Sequence, residues 1–363
     1  MNELDYMRRA IQLAKKGIGF VNPNPLVGAV VVKNGEIIGE GWHECFGGLH
    51  AERNALSNCK EDPRGADLYV TLEPCCHYGK TPPCTEAILE AGIHRVIIGS
   101  RDPNVLVAGK GAKILRENGV SVEEDFLREE CDTLNFIFFR YITTGLPYVS
   151  IKYAMTLDGK IATKTGESKW ITGEMARAHV QRLRHQYRAI MVGIQTVLED
   201  NPLLTCRMEN GRNPIRIVCD SYLRLPLDCQ LVNTIDEAPV VVAHCCEDED
   251  RQKELKDKGV RLIKTPCNQG KVDLHFLFKR LAEENIDSIL IEGGATLNGS
   301  VLDEHLAQRV LVYVAPKIFG GRQAKTPVAG NGVAAPSESS KLVCVKNEWI
   351  EQDLFLEYEV EEN

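Results

Sequence analysis

One histidine and two cysteines can form a single metal site. To do so they must meet at one point, and this requirement limits how the chain can fold. His50, Cys75 and Cys84 offer an imidazole and two thiolates, which are ligands that zinc prefers. Apolar periodicity predicts helices over 51–56 and 85–91, so His50 and Cys84 each stand at a helix N-terminus. The positive end of a helix dipole favours a thiolate over a thiol there. The fold must therefore bring two helix starts and Cys75 to one point.

Glu52 gives this metal site a chemistry, because it lies two residues from the first ligand. Zinc with three protein ligands keeps its fourth position for water and lowers the pKa of that water toward ~7. A carboxylate beside the water can take its proton and pass it to a leaving amine. The order His-x-Glu, then Pro-Cys, then a second Cys is typical of zinc-dependent deaminases.

The fourth zinc ligand and the cysteine spacing leave two alternatives open. A structural zinc needs four protein ligands, and Cys76 or His77 could supply the fourth, although Glu52 would then have no role. Nucleoside and nucleic-acid deaminases space their cysteines Cys-x-x-Cys, whereas eight residues separate Cys75 from Cys84 here.

Length and composition indicate a two-domain protein. The chain has 363 residues, which is long for one hydrophobic core, and a net charge of −8. The acidic balance argues weakly against a nucleic-acid or anionic-membrane surface, so we expect neither partner. The 13 cysteines are an odd number, the N-terminus lacks a signal-peptide pattern, and no apolar stretch could span a bilayer. We therefore expect a cytoplasmic protein without a disulfide framework.

Strands and helices alternate in both halves of the chain, which predicts an α/β fold for each. In the first half, a hairpin with an Asn34-Gly35 turn precedes the alternation, which predicts a mixed sheet with helices on both faces. We predict a connecting helix over 127–141, a domain boundary at 143–147 and a tail, 349–360, that could close the second sheet. The other predicted elements are strands over 26–32, 36–41, 68–72, 95–99, 120–123, 148–155, 189–193, 215–219, 239–244, 261–265, 288–292 and 309–315, helices over 5–16, 110–117, 174–188, 248–258, 274–285 and 297–306, and loops over 211–214 and 267–270.

Several polar residues of the second half have both an ordinary and a functional interpretation. Lys152 lies mid-strand among apolar residues, where it either snorkels to a face or has a function. The run 292–294, Glu-Gly-Gly, predicts a strand end before a helix N-terminus, which is either a phosphate cradle or an ordinary turn. Asp200 belongs to a turn pattern. Arg184 and Arg207 are either surface residues or bidentate phosphate ligands.

Motifs along nearly the whole chain resemble the bifunctional riboflavin-biosynthesis deaminase/reductase family. The motif Pro-Cys-x-His-x-Gly-Lys-Thr-Pro-Pro-Cys is the most specific, although Cys76 stands where we expect serine. The motifs that carry the resemblance lie at 22–32, 48–52, 74–84, 101–111, 147–162, 193–207 and 292–300. The resemblance implies a cytidine-deaminase-like three-layer α/β/α domain over 1–146 and a dihydrofolate-reductase-like α/β domain over 147–363.

The resemblance also implies two reactions and their cofactors. The first domain, with one zinc ion, would remove an amino group from 2,5-diamino-6-(5-phosphoribosylamino)pyrimidin-4(3H)-one. The second domain would use NADPH to reduce the ribosyl group of the product to a ribityl chain. It further implies a homo-oligomer, either a dimer or a tetramer.

Specific residues follow from the resemblance. His50, Cys75 and Cys84 would bind zinc, and Glu52, Lys152 and Asp200 would be catalytic. The residues implied for the cofactor are Ala154, Trp170, Thr196, Asp200, Ser221, Gly294, Ala295, Thr296, Leu297, Asn298, Gly299 and Ser300. Those implied for the substrate are Asn24, His43, His77, Lys80, Thr81, Asp102 and Asn104 in the first domain, and Ser168, Arg184, Leu204, Arg207 and Glu292 in the second.

Two other functions compete with this hypothesis. A tRNA or free-base deaminase with an accessory domain would also carry the zinc pattern, but the long cysteine spacing and the acidic charge argue against it. A zinc-stabilised binding protein would have no turnover. Ammonia release from candidate pyrimidines distinguishes these possibilities.

Overall fold

The computed structural model describes residues 2–79 and 82–361, and the chain divides into two compact units, residues 1–146 and 147–363. Each unit has its own sheet and its own apolar clusters. Within the described ranges, none of the helices combines the length and apolar composition needed to cross a bilayer.

The first unit is built around a five-stranded mixed sheet. Its elements are α1 (Glu3–Ala14), β1 (Gly28–Lys33), β2 (Glu36–Trp42), α2 (Ala51–Ser57), β3 (Asp67–Leu72), α3 (Cys84–Glu90), β4 (Arg95–Ser100), α4 (Lys110–Glu117), β5 (Ser121–Glu123), α5 (Arg128–Asp132) and α6 (Phe136–Thr144). The strand order is β2-β1-β3-β4-β5, with β1 antiparallel to both neighbours and the last three strands parallel. The hairpin turn is formed by Asn34 and Gly35, both with positive φ, as their sequence predicts.

Helices cover both faces of this sheet, which confirms the predicted three-layer arrangement. Alternate strand residues such as Val31 and Val70 pack under α2, α3 and α4. Their neighbours, including Val30 and Tyr69, face α1 and the segment around Cys131. Because side chains of a strand alternate between faces, one short strand can serve two helical layers.

The prediction of one helix over 127–141 is wrong, because the chain forms two helices, α5 and α6. Asn135 lies at the break and is 2% exposed. Its side chain accepts a hydrogen bond from the Leu26 amide at 2.8 Å and donates one to the Leu26 carbonyl at 3.0 Å. These tertiary hydrogen bonds hold Asn135 outside helical geometry, and helical periodicity carries no trace of them.

The second unit is built around a nine-stranded sheet. Its elements are β6 (Tyr148–Thr156), α7 (Glu174–Gln186), β7 (Ala189–Gly193), α8 (Ile194–Asp200), β8 (Ile215–Cys219), α9 (Gln230–Asn233), β9 (Val240–His244), α10 (Glu249–Asp257), β10 (Arg261–Lys264), β11 (Cys267–Asn268), β12 (Lys271–Val272), α11 (Leu274–Glu283), β13 (Ser288–Ile291), α12 (Ala295–Asp303), β14 (Arg309–Ala315), β15 (Leu342–Ile350) and β16 (Asp353–Val360).

Most of this sheet is parallel. The order is β10-β9-β8-β7-β13-β6-β14-β16-β15, parallel from β10 to β14, with β16 antiparallel to both of its neighbours. One face packs against α11 and α12, and the other packs against α8, α9 and α10. The carboxyl ends of β6, β7 and β13 therefore lie side by side, where open α/β sheets place their ligand sites.

Three details of the second unit differ from the predictions. The tail is a hairpin of β15 and β16 rather than one strand, because the chain reverses at Glu351, which has a positive φ of 55° and no glycine to signal the turn. The segment 267–270 belongs to the small β11–β12 hairpin. Asp200, which was predicted in a turn, is the last residue of α8, and the next residue, Asn201, adopts the left-handed conformation.

Candidate active sites

In the first unit, His50, Cys75 and Cys84 converge as predicted. The Nδ1 atom of His50 lies 3.4 Å from the sulfur of Cys75 and 3.4 Å from that of Cys84. The three ligand atoms all lie within 4.8 Å of one another. Zinc bonds of ~2.3 Å to sulfur and ~2.1 Å to nitrogen, in tetrahedral geometry, separate the two ligand atoms by roughly 3.6 Å. The donor set and its spacing therefore fit a zinc ion.

Two helix starts and one strand end bring these ligands together. His50 is the N-cap of α2, Cys84 is the first residue of α3, and Cys75 follows β3. The backbone N–H of Cys84 donates to the Cys75 sulfur at 3.3 Å. Gly41 permits the close approach of α2 to β2, because a Cβ there would lie 2.6 Å from the Ala51 carbonyl oxygen.

Glu52 lies in the first turn of α2 and is 3% exposed. Burial, and then the negative charge of Cys75, raise the pKa of its carboxyl to about 6. Hydrogen bonds from Cys84 and His50 lower the pKa of the Cys75 thiol to about 4. The hydrogen bond between the two cysteines raises the pKa of the Cys84 thiol. The site therefore holds a thiolate beside a carboxyl group that can gain or lose a proton near neutral pH.

A cavity of about 330 Å³ opens beside the metal ligands. His43 in its wall is 3% exposed, and burial lowers the pKa of its imidazole. Its Nδ1 lies 2.9 Å from the Leu49 carbonyl and so donates to it, which leaves Nε2 to accept from the Asn24 amide at 3.0 Å. The cavity therefore presents an ordered polar pair, Asn24 and neutral His43, in a largely apolar wall.

The other residues implied for the first substrate also line this cavity where the structure describes them. His77 has a buried Nδ1 without a hydrogen-bond partner among the described residues. Burial raises the pKa of Asp102 to about 6, and its carboxylate accepts from the Asn104 amide at 2.8 Å. Lys80 and Thr81 lie outside the described residues.

Sequence patterns missed several residues that shape this cavity. Glu73 is 4% exposed and accepts from the backbone amides of Gly109, at 2.9 Å, and Ala112, at 3.2 Å, which fixes the start of α4. Phe138 and Tyr141 of α6 complete the wall. The position of Glu73, directly before the Pro-Cys motif, could have indicated a role at this site. No sequence pattern pointed to the two aromatic residues.

In the second unit, Lys152 and Arg184 converge on Glu292. The Nζ atom of Lys152 lies 3.0 Å from Oε2 of Glu292, and Arg184 is bidentate to the same carboxylate at 2.7 and 3.0 Å. Arg184 also donates to the Thr205 carbonyl at 3.0 Å. Burial alone would raise the pKa of Glu292, but Arg184 and Lys152 together lower it to about 2. Glu292 is therefore a carboxylate that holds both cations.

A cavity of about 690 Å³ lies beside this cluster. The residues implied by the resemblance that line it are Lys152, Ala154, Ser168, Thr196, Asp200, Glu292, Gly294, Ala295, Thr296, Leu297 and Asn298. Gly294 caps α12 without a side-chain hydrogen bond, so the first amides of this helix remain available to a ligand. Gly294 adds no side chain at this helix start, where a Cβ would lie 3.3 Å from the Thr196 hydroxyl. These features fit a bound nucleotide phosphate.

The remaining residues implied for the second unit are not among those that line this cavity. Trp170 is 60% exposed and stacks against the Arg177 guanidinium at 4.7 Å. Ser221 accepts from the Val272 amide at 3.1 Å, and Gly299 packs against the backbone of Ala329. The other three are Leu204, which is buried, Arg207, which is exposed, and Ser300, which is partly buried.

The fold and sites define a two-domain enzyme with a zinc-binding deaminase domain followed by a reductase domain. The model of the cytidine and deoxycytidylate deaminase zinc-binding region matches residues 1–100, and that of the RibD C-terminal domain matches residues 147–356. The riboflavin biosynthesis protein RibD of Actinobacillus pleuropneumoniae is 57% identical over 99% of this chain and 96% of its own length. That of Escherichia coli is 41% identical over 88% of this chain and 89% of its own length.

Solved structures agree with the sequence relatives. The diaminohydroxyphosphoribosylaminopyrimidine deaminase/5-amino-6-(5-phosphoribosylamino)uracil reductase of Thermotoga maritima is 41% identical, with a TM-score of 0.88 and 98% of both chains covered. RibD of Acinetobacter baumannii is 36% identical, with a TM-score of 0.89 and 99% of both chains covered. The chain belongs to the RibD family of bifunctional riboflavin-biosynthesis enzymes, which join a deaminase to a reductase.

Proposed function

We propose that the first unit removes, as ammonia, the 2-amino group of 2,5-diamino-6-(5-phosphoribosylamino)pyrimidin-4(3H)-one. The second unit then uses NADPH to reduce the ribosyl group of the product to a ribityl chain. The observation that carries this proposal is the convergence of three zinc ligands and the buried Glu52 at one cavity. Support for the substrate comes from the Thermotoga maritima protein, which is named for both activities and is 41% identical.

In the deaminase unit, His50, Cys75 and Cys84 would hold zinc. Zinc at such a site supplies a nucleophile at neutral pH by acidifying water. Glu52 would take a proton on its carboxylate and return it to the departing amine. Its burial supports both roles, because burial raises the pKa of a carboxyl toward neutral pH and a catalytic acid–base group works best near the operating pH.

The cavity beside the ligands would bind the pyrimidine ring. Asn24 and His43 form a fixed polar pair, and His77 lines the same cavity. Asp102 and Asn104 supply acceptors and donors on another stretch of the wall. Lys80 and Thr81 stay predicted substrate ligands outside the described residues.

In the reductase unit, NADPH would lie along Gly294 to Asn298, with its phosphates at the N-terminus of α12. NADPH supplies the hydride for the C1′ carbon of the sugar. That carbon accepts a hydride when the ribosylamine is open as an imine, so an acid beside the sugar favours the reaction. Lys152 has this position in our proposal, because it lines the cavity and Glu292 fixes its ammonium group.

The other polar residues of the reductase unit would orient the substrate. Asp200 lines the cavity and accepts from the Ser168 hydroxyl at 3.4 Å, so this pair can orient the sugar. Arg207 is exposed and would bind the 5′-phosphate. The guanidinium of Arg184 is engaged by Glu292 and the Thr205 carbonyl, so we assign it to holding Glu292 and, through it, Lys152.

The test is to measure ammonia release and NADPH oxidation together on the zinc-loaded full-length chain. With the phosphoribosylated diaminopyrimidine, we expect ammonia first and then an equal amount of NADPH oxidised. Cytidine serves as the control and should release no ammonia. NADPH oxidation before ammonia release, or deamination of cytidine in place of this substrate, would contradict the proposal.

Homo-oligomerisation and a cytoplasmic location also stay predictions. The edge strand β15 supports the first, because it exposes Leu342, Val343, Val345 and Trp349 on a free sheet edge. Light scattering on the purified chain tests it, and a monomer at micromolar concentration would contradict it. Cell fractionation tests the second.

A further inference from the structure

Cys245 and Cys267 bring their sulfur atoms to 3.0 Å from each other in the second unit. Cys245 directly follows β9, and Cys267 begins the β11–β12 hairpin. A disulfide has a bond of ~2.05 Å, so these atoms need to approach by only about 1 Å. This pair lies outside both cavities and has no part in either proposed reaction.

Both cysteines stand on anchored backbone, with Ser221 between them. The Cys245 amide donates to the Ser221 carbonyl at 3.2 Å, and the Val272 amide of β12 donates to the Ser221 hydroxyl at 3.1 Å. The Thr265 amide donates to the His244 carbonyl at 2.8 Å. Because hydrogen bonds on each side hold the two segments together, the short distance between the sulfur atoms is a feature of the fold.

We propose that Cys245 and Cys267 are a redox-active pair that closes to an intramolecular disulfide when a low-molecular-weight disulfide is present. Cys267 is exposed and Cys245 partly exposed, so a small oxidant such as glutathione disulfide reaches them. In compartments that keep most thiols reduced, the disulfides that do form are usually transient and serve catalysis or redox sensing. The pair makes the segment around Ser221, which follows β8, responsive to the redox state of the thiol pool.

The thiol–disulfide exchange with glutathione disulfide takes place in two steps. Cys267 attacks first, since burial raises the pKa of the Cys245 thiol to about 11 and keeps it protonated. The Cys267 thiolate displaces one glutathione thiolate and forms a mixed disulfide. Cys245 then attacks the Cys267 sulfur while its proton passes to the glutathione thiolate, and the second glutathione leaves as a thiol. Two protein thiols are oxidised, and one small disulfide is reduced to two thiols.

The test uses the zinc-loaded full-length protein, so that Cys75 and Cys84 stay protected. The reduced protein is incubated with glutathione disulfide, its remaining thiols are alkylated, and its peptides are analysed by mass spectrometry. We expect a cross-linked peptide pair joining Cys245 to Cys267. Cys344, another exposed cysteine, is the internal control and should carry glutathione without a cross-link.

Two variants separate the proposal from ordinary cysteine reactivity. Cys246→Ser removes the neighbouring thiol and should leave the cross-link unchanged. Cys245→Ser removes the resolving thiol, so Cys267 should accumulate the mixed disulfide with glutathione. Wild-type protein in which Cys267 stays glutathionylated like Cys344, or in which Cys246 takes the place of Cys245 in the cross-link, would overturn the proposal.

Discussion

Replacing Glu292 by glutamine should destabilise the second unit by several kcal/mol. The substitution keeps the shape of the side chain but removes the charge that pairs with Lys152 and Arg184. The three side chains are only 7%, 12% and 12% exposed, so solvent cannot replace the lost partner. Breaking a buried ion pair from one side costs ~3–5 kcal/mol.

The lowered pKa of Glu292 gives a second value for the stability that this carboxylate contributes. Its fall from an ordinary 4.5 to about 2 corresponds to roughly 3 kcal/mol, at ~1.4 kcal/mol for each tenfold change in proton affinity. Because the folded-state pKa is depressed, this stability is fully present above the unfolded-state pKa of ~4.3 and is lost as the pH falls toward 2. The difference between wild type and Glu292→Gln should therefore be constant near neutral pH and shrink below pH ~4.5.

Hydrogen exchange of the β6 and β13 amides measures this effect in the second unit alone. Glu247→Gln is the matched control, because Glu247 pairs with Lys264 on the surface, where the two side chains are 77% and 54% exposed. Such a pair contributes at most ~1 kcal/mol. If Glu292→Gln accelerates exchange no more than Glu247→Gln does, the buried cluster does not stabilise this unit by several kcal/mol.

Three further predictions concern the two sites. Cys76→Ser should keep stoichiometric zinc by metal analysis while Cys84→Ser loses it; the reverse pattern would overturn the ligand assignment. Gly41→Ala should push α2 from β2 and reduce zinc affinity without altering reductase activity on deaminated substrate, and unchanged zinc affinity would show that the close approach is unnecessary. Lys152→Met should lower kcat with little change in KM, whereas Arg207→Ala should chiefly raise KM for the phosphorylated substrate. Steady-state kinetics measure both effects. A wild-type kcat in Lys152→Met, or a wild-type KM in Arg207→Ala, would contradict the role proposed for that residue.

The sequence predicted that His50, Cys75 and Cys84 meet, because each candidate ligand carried a local signal. The helix periodicity after His50 and Cys84 placed both at helix starts, and the structure brings them together with Cys75. The alternation of strands and helices likewise predicted both α/β sheets. These features depend on contacts close in sequence, which periodicity and spacing record.

Features built from distant residues were not predictable from local pattern. The break between α5 and α6 depends on hydrogen bonds from Asn135 to Leu26, 109 residues away. Arg184 and Glu292 are separated by 108 residues, so the shared carboxylate had no local signature. Lys152 alone allowed two interpretations, and only the structure shows the Glu292 carboxylate beside it.

The central claim is that Glu52 moves protons at a deaminase site that is independent of the reductase site. The most direct test is Glu52→Gln in the zinc-loaded full-length chain, with ammonia release and NADPH oxidation measured on the diaminopyrimidine and on its deaminated product. General acid–base catalysis contributes roughly 10²–10⁴-fold, so ammonia release should fall by at least that factor. NADPH oxidation with the deaminated product should stay at the wild-type rate, and zinc content should not change. Near-normal ammonia release, or an equal loss of both activities with zinc retained, would contradict the account.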